Sequence, residues 1–217
     1  MSGIVYYVID TETTGLSTNY HEITELGIIR CFDRMQLWRQ VKCLYPERAN
    51  FDALAITQKT LADLSNGDDP EQVILASEKF FNEDNLSPAH RCIVGHNISF
   101  DRKFLHALWE RYGKEFPAHL WLDTMALTRQ YLKDTGIEQE HKAKGLKKPS
   151  VNLHAACDWA GVKKLSASHN AKVDSRNTYL LYQNLVEEKK INYLPFIKTA
   201  VHKVNSFDSE RADISDL

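Results

Sequence analysis

Two carboxylates end the first apolar run of the chain, where burial makes them costly. Asp10 and Glu12 follow the strand-like segment VYYVI and continue the face formed by Ile4, Tyr6 and Val8. Carboxylates at the end of a buried strand repel each other and lose hydration, so the fold alone gives no reason for them. A compensating positive charge is therefore expected beside them.

Two more acidic residues head helical stripes that should face the core. Asp101 begins the stripe that Phe104 and Leu108 continue, and Asp174 begins the stripe that Leu181 continues. Acids that break the apolar pattern in this way tend to mark functional sites. Three separate segments are thus predicted to aim carboxylates at one place.

Such a cluster of oxygen ligands without cysteine suits hard divalent ions, Mg²⁺ or Mn²⁺. Two ions about 3.5–4 Å apart form the clamp that supports in-line attack on a phosphodiester, one activating water and the other stabilising the leaving oxygen. The sequence therefore predicts a site for two divalent metal ions.

The composition indicates a globular protein with one substantial core, since 43% of the 217 residues are hydrophobic. Four scattered cysteines without a Cys-x-x-Cys pair argue against a zinc ribbon and favour a reducing compartment. We see neither an apolar run as long as a membrane span nor a signal-peptide layout, and expect a cytoplasmic or otherwise intracellular protein that is not secreted. The net charge of −2 argues against a polycation that coats nucleic acid, but it allows an enzyme that grips phosphates through metal ions.

The order of elements predicts an α/β fold. Residues 4–10, 22–32 and 35–44 form three successive strands of an antiparallel meander, and later apolar strands alternate with helical segments. This order implies a mixed sheet, with the meander joined to parallel strands and helices packed on it.

Residues 133–149 are polar and contain glycine, and we predict a flexible loop there. Its Lys142–Lys148 segment carries four lysines and forms either a solvated surface, which is the commoner outcome for charge runs, or a grip for a nucleic-acid strand. We divide the chain into a main domain over 1–188, a helical extension over 189–204 and a disordered acidic tail over 205–217.

Three short motifs, in chain order, resemble those of the DEDD superfamily of 3′–5′ exonucleases. They are DTE at 10–12, HNISFD at 96–101 and HNAKVD at 169–174. The histidine of the third motif places the resemblance in the DEDDh, proofreading-exonuclease-like branch, and the likeness extends over about residues 3–188. It implies a ribonuclease-H-like fold.

The resemblance also implies roles for the motif residues. Asp10, Glu12 and Asp174 would bind the metal that carries the attacking water, with Asp10 bridging to a second metal held by Asp101. His169 would be the general base, and imidazole accepts protons near neutral pH. Because His169 and Asp174 are five residues apart, His169 is expected on the loop before the helix.

Substrate contacts are expected around the first two motifs. The resemblance implies that the TTGL turn brings backbone amides close to the terminal nucleotide and that the side chain at Leu16 packs on the terminal base. Phe100 is a candidate to stack on a base or sugar, and ordinary core packing is the alternative for both Leu16 and Phe100. The residues assigned to substrate binding are Thr13, Thr14, Gly15, Leu16, His96, Asn97 and Phe100.

The preferred function is a 3′–5′ exonuclease that releases nucleoside 5′-monophosphates from the 3′ end of single-stranded DNA, in proofreading or repair. A polymerase or repair protein would then be a partner in trans. The same chemistry on RNA 3′ ends is the alternative, because no motif decides sugar preference. A nucleic-acid-binding module without catalysis is the alternative of a different class. The sequence leaves the oligomeric state open.

Overall fold

The computed structural model describes residues 3–165 and 169–199, whose strands form one six-stranded sheet in the order β3-β2-β1-β4-β5-β6. The strands are β1 Val5–Thr13, β2 Ile23–Arg30, β3 Gln36–Gln40, β4 Arg91–Gly95, β5 Leu120–Asp123 and β6 Lys198–Thr199. The first three form the predicted antiparallel meander, β4 and β5 extend it in parallel with β1, and β6 pairs antiparallel with β5. The predicted mixed sheet is confirmed.

Helices cover both faces of this sheet. They are α1 Phe51–Thr57, α2 Pro70–Asn82, α3 Ser99–Arg111, α4 Thr124–Asp134, α5 Ile137–Ala143, α6 Leu153–Ala160 and α7 Ala171–Gln183. On one face Tyr7 and Ile9 of β1 belong to the apolar cluster that α2 and α3 complete. On the other face Val8 belongs to the cluster that α4, α6 and α7 complete. Both faces of β1 are therefore buried, as expected for a central strand.

The topology brings the motif segments to one edge of the sheet. β1, β4 and β5 run parallel, so their carboxyl ends meet at the same edge, where ligands bind in open α/β sheets. Asp10 and Glu12 lie near the end of β1, while α3 and α4 begin soon after β4 and β5. None of the helices in the described ranges is long and apolar enough to cross a membrane.

The predicted flexible loop over 133–149 is wrong in its middle, where Ile137–Ala143 forms α5. Gly136 adopts a left-handed backbone (φ +77°) that ends α4 and starts the new helix. Acidic residues in the first turn of α5 and basic ones in its last turn match the helix dipole. Lys144 pairs with Glu140 and Lys148 pairs with Glu138, so two of the four lysines have acidic partners within this segment.

The described part of the predicted helical extension over 189–204 is not a helix of regular length. Leu194–Phe196 forms a single 3₁₀ turn and Lys198–Thr199 forms β6 on the open edge of β5. Pro195 lacks an amide hydrogen and so favours a short turn, and the unpaired edge of β5 offers a ladder to the following residues. Residues 200–204 and the predicted tail 205–217 lie outside the described residues.

Candidate active site

Three carboxylates meet where β1 faces α7. Asp10 and Glu12 continue the face of β1 that packs on α7, and Asp174 lies in the first turn of that helix. One carboxylate oxygen from each residue lies within 4.8 Å of the other two. This spacing lets all three bind one ion.

The electrostatics of the cluster favour a cation. Burial, followed by the charges of neighbouring carboxylates, raises the pKa of Asp10 well above its ordinary value. The same two causes raise the pKa of Glu12 to about 8. Burial also raises the pKa of Asp174, whose Oδ1 is buried without a hydrogen-bond partner among the described residues. A divalent ion would supply the missing partner and relieve the repulsion, so these residues fit a metal site.

Asp101 approaches the cluster from the opposite face of the sheet. It lies in the first turn of α3, is 4% exposed, and its Oδ1 accepts hydrogen bonds from the Thr11 amide (2.9 Å) and hydroxyl (2.8 Å). Burial raises the pKa of Asp101 to about 7, although the Thr11 hydrogen bonds oppose this rise. Thr11 thus fixes Asp101 beside Asp10.

These carboxylates open into a cavity of about 330 Å³. Eight of its lining residues come from the sequence prediction: Asp10, Glu12, His96, Asn97, Phe100, Asp101, His169 and Asp174. The predicted base His169 is exposed and directly precedes Asn170, the N-cap of α7, so it lies on the loop as expected.

The predicted TTGL turn lies outside the cavity wall. The Thr13 hydroxyl donates to the Gly15 carbonyl (2.7 Å), and the Thr14 amide donates to the Glu22 carbonyl (2.9 Å). A Cβ on Gly15 would lie 2.4 Å from Nε2 of His21, so a larger residue there would have to displace that ring. Leu16, at the end of this turn, is 85% exposed and is therefore not part of the core.

The two residues that open the second motif hold the site together. His96 hydrogen-bonds through Nδ1 to the Thr124 hydroxyl (2.9 Å) and through Nε2 to the Val151 carbonyl (2.8 Å), and burial lowers its pKa. The Asn97 amide donates to Asp123 Oδ1 (2.9 Å), which also caps α4. Asp123 therefore links the start of the second motif to the start of α4.

Sequence reasoning missed four residues of the cavity wall: Thr11, Asn152, Leu153 and His154. His154 lies in the first turn of α6, and its ring is nearly parallel to that of His169 (10°), with the centroids 6.3 Å apart. Asn152 caps α6 by accepting from the Ala155 amide (2.9 Å). An Asn cap is readable in NLHAAC, but only the tertiary fold shows that this helix start faces the carboxylates.

Comparison with known proteins identifies the family of this chain. The model of the RNase T exonuclease family matches residues 7–182. The chain belongs to this exonuclease family.

Relatives of this exonuclease domain are much longer proteins. The PolC-type DNA polymerase III of Latilactobacillus sakei is 30% identical over 190 residues, which cover 87% of this chain and 12% of the polymerase. The PolC-type enzyme of Listeria monocytogenes is also 30% identical, over 81% of this chain and 12% of its own length. The exonuclease domain thus spans about an eighth of these relatives.

Solved structures share the fold at low sequence identity. Escherichia coli exonuclease I in complex with a dT13 oligonucleotide has a TM-score of 0.66 at 16% identity, over 86% of this chain and 42% of its own. A 3′-exonuclease that recognises a histone mRNA stem-loop has a TM-score of 0.67 at 12% identity, over 94% of this chain and 74% of its own. A further exonuclease I–single-stranded DNA complex (TM-score 0.67, 17% identity, 86% of this chain and 41% of its own) contains zinc.

Proposed function

We propose that the protein is a DEDDh-type, metal-dependent 3′–5′ exonuclease that releases nucleoside 5′-monophosphates from single-stranded DNA. The observation that carries this proposal is the meeting of Asp10, Glu12 and Asp174 within 4.8 Å in a cavity that His169 also lines. Carboxylate ligands and a nearby imidazole are the groups that phosphodiester hydrolysis needs.

Asp10, Glu12 and Asp174 would hold one Mg²⁺ or Mn²⁺, and Asp10 with Asp101 a second. The ions, when bound, supply Lewis acidity to the phosphate and acidify water. Both Thr11 hydrogen bonds to Asp101 end on Oδ1, and this leaves Oδ2 as the oxygen offered to the second ion.

His169 would accept the proton of the attacking water. It is exposed and lies on the loop before α7, so its ring reaches the cavity without being held by the core. Asn170 begins α7 by accepting from the Lys172 and Val173 amides, and this cap keeps His169 close to Asp174. Proton acceptance by a positioned imidazole contributes typically 10²–10⁴-fold to rate.

The 3′ nucleotide would lie between the exposed Leu16 and Phe100, which lines the cavity. Phe100 packs against Phe104 (ring centroids 5.0 Å apart), so it is a firm support for a base or sugar. We infer that Thr13, Thr14 and His96 contribute by holding the turn and the cavity wall, because their polar groups are already hydrogen-bonded within the protein. Stacking contacts of this kind accept any base.

The preference for DNA is supported by the PolC-type polymerases among the relatives and by exonuclease I bound to dT13. Proofreading or repair in association with a polymerase is the role that these relatives support. The structural neighbour that recognises histone mRNA supports RNA 3′ ends as the second candidate substrate.

A time course on 5′-labelled single-stranded DNA and RNA of identical sequence tests both candidates. Reactions contain Mg²⁺, Mn²⁺ or EDTA, and Asp10→Ala protein is the matched control. We expect a metal-dependent ladder that shortens from the 3′ end and forms faster on DNA. Faster degradation of RNA than of DNA would favour RNA trimming as the function. A folded protein that binds the DNA and the RNA without cleaving either would indicate a binding module.

A further inference from the structure

A buried ion pair lies directly beside the acidic cluster. Glu25 of β2 is the residue opposite Glu12 in the antiparallel pairing of β1 and β2. Lys59 Nζ lies 2.5 Å from Glu25 Oε1, and the two side chains are only 12% and 5% exposed. Like charges opposite each other on neighbouring strands are destabilising, so Glu25 needs this partner.

The second oxygen of Glu25 holds the start of α7. Glu25 Oε2 accepts a hydrogen bond from the Ala171 amide (3.1 Å), a group at the helix start that the helix itself cannot satisfy. Ala171 lies two residues after His169 and three before Asp174. Glu25 thus binds the backbone between the two motif residues.

The approach of α7 to β2 is unusually close at this point. A Cβ on Gly27, two residues along β2, would lie 2.4 Å from the Ala171 carbonyl oxygen. The helix start is therefore seated on β2 by backbone contact at Gly27 and by the side chain of Glu25. Lys59 is the residue after Gln58, whose left-handed backbone (φ +56°) ends α1.

We propose that Glu25 is a positioning residue that fixes His169 and Asp174 for the reaction, with Lys59 as its neutralising partner, an inference that rests on the proposed function. Glu25 acts through the Ala171 amide. Lys59 neutralises Glu25, so that this carboxylate stays bound to α7 instead of repelling Glu12. Groups that orient metal-binding residues in this way typically change metal affinity or activity by 10–100-fold when removed.

The test compares two double variants of equal charge. Both carry Lys59→Met; one adds Glu25→Gln, which can still accept from the Ala171 amide, and the other adds Glu25→Ala, which cannot. We expect the Glu25→Ala pair to lose about 10–100-fold in kcat and in Mn²⁺ affinity measured by calorimetry, with KM changed less than about threefold. We expect the double variant with Glu25→Gln to keep kcat, Mn²⁺ affinity and KM within about threefold of wild type.

Loss of an ion pair in itself is controlled by Glu78→Ala with Lys114→Met, which removes the half-buried 2.6 Å ion pair between Glu78 of α2 and Lys114. This control should keep kcat and Mn²⁺ affinity. Equal kcat and equal Mn²⁺ affinity in the two Glu25 variants would overturn the inference. So would a loss confined to KM.

The two proposals fail separately. Wild-type protein that binds Mn²⁺ but cleaves nothing would refute the proposed function, and the Mn²⁺ comparison would still decide whether Glu25 positions Asp174. If the Glu25→Ala pair does not fold, Glu25→Asp keeps the charge but shortens the side chain by one methylene. Unchanged kcat and Mn²⁺ affinity in that variant would equally refute the role of Glu25.

Discussion

Asp10 lies near the carboxylates of four other residues, and burial and repulsion by these carboxylates make Asp10 costly to ionise. We expect Asp10→Asn to lower cleavage by at least about 10²-fold, because a metal-binding oxygen is lost. The same variant should raise the melting temperature of the metal-free protein at pH 8 by roughly 2–4 °C, since one repelling charge is removed. Thermal denaturation in EDTA and the ladder assay measure the two effects. A variant that melts lower and cleaves normally would contradict both assignments.

His169 and His154 share the cavity but differ in their setting, since His169 is exposed and Nε2 of His154 is buried without a partner among the described residues. We expect His169→Ala to lose about 10²–10⁴-fold in kcat and to lose the acidic limb of the pH–rate profile, because the proton acceptor is gone. His154→Ala is the matched comparison and should retain that limb. An unchanged profile in His169→Ala would exclude its role as base.

At the scale of elements, the seat of α7 on β2 depends on the absence of a side chain at Gly27. We expect Gly27→Ala to destabilise the protein by about 1–3 kcal/mol, because its Cβ would meet the Ala171 carbonyl oxygen at 2.4 Å and Ser175 Oγ at 2.8 Å. Displacement of α7 should also reduce kcat. Chemical denaturation and the cleavage assay measure these losses. Gly3→Ala, with nothing within 4 Å, is the control, and equal behaviour of the two variants would refute the close seat.

The order of elements and the acidic residues of the site were readable from local patterns. Side chains return to the same face every second residue in a strand and about every 3.6 residues in a helix. The acidic residues Asp10, Asp101 and Asp174 therefore stood out within apolar stripes. The family motifs then connected them. Contributions that need the tertiary fold were not readable: Thr11 of β1 holds Asp101 of α3, and His154 enters the cavity from α6.

The middle of 133–149 and the described part of 189–204 were mispredicted, because the composition of each segment favoured one structure and its surroundings favoured another. The glycines and lysines of 133–149 suggested a loop, yet complementary charges at its two ends and a left-handed Gly136 allow α5. A helical extension was predicted over 189–204, but in its described part, 189–199, Pro195 and the free edge of β5 favoured a turn and a short strand. Both errors concern segments outside the central strands of the sheet.

At the scale of the whole molecule, the raised pKa values of the cluster make the stability of the metal-free protein depend on pH. The folded state binds protons more tightly than the unfolded chain, since the pKa of Glu12 rises from 4.5 to about 8 and that of Asp101 from 3.8 to about 7. At pH values between the ordinary and the raised pKa of each group, the unfolded chain carries fewer protons than the folded protein. The free energy of unfolding therefore falls as pH rises from about 4 to 8. Below about pH 4 both states are protonated at these groups and this contribution levels off.

We therefore expect the melting temperature in EDTA to fall steadily between pH 5.5 and pH 8, and to recover when Mg²⁺ is added at pH 8. Bound cations replace the protons as the charge that offsets the carboxylates, and a ligand that binds only the folded state stabilises it. Glu12→Gln removes one of the titrating groups, so its melting temperature should vary less with pH than that of the wild type. Melting curves of both proteins over this range, with and without Mg²⁺, provide the test. A wild-type melting temperature that rises towards pH 8 in EDTA would show that the four carboxylates do not repel one another in the folded protein.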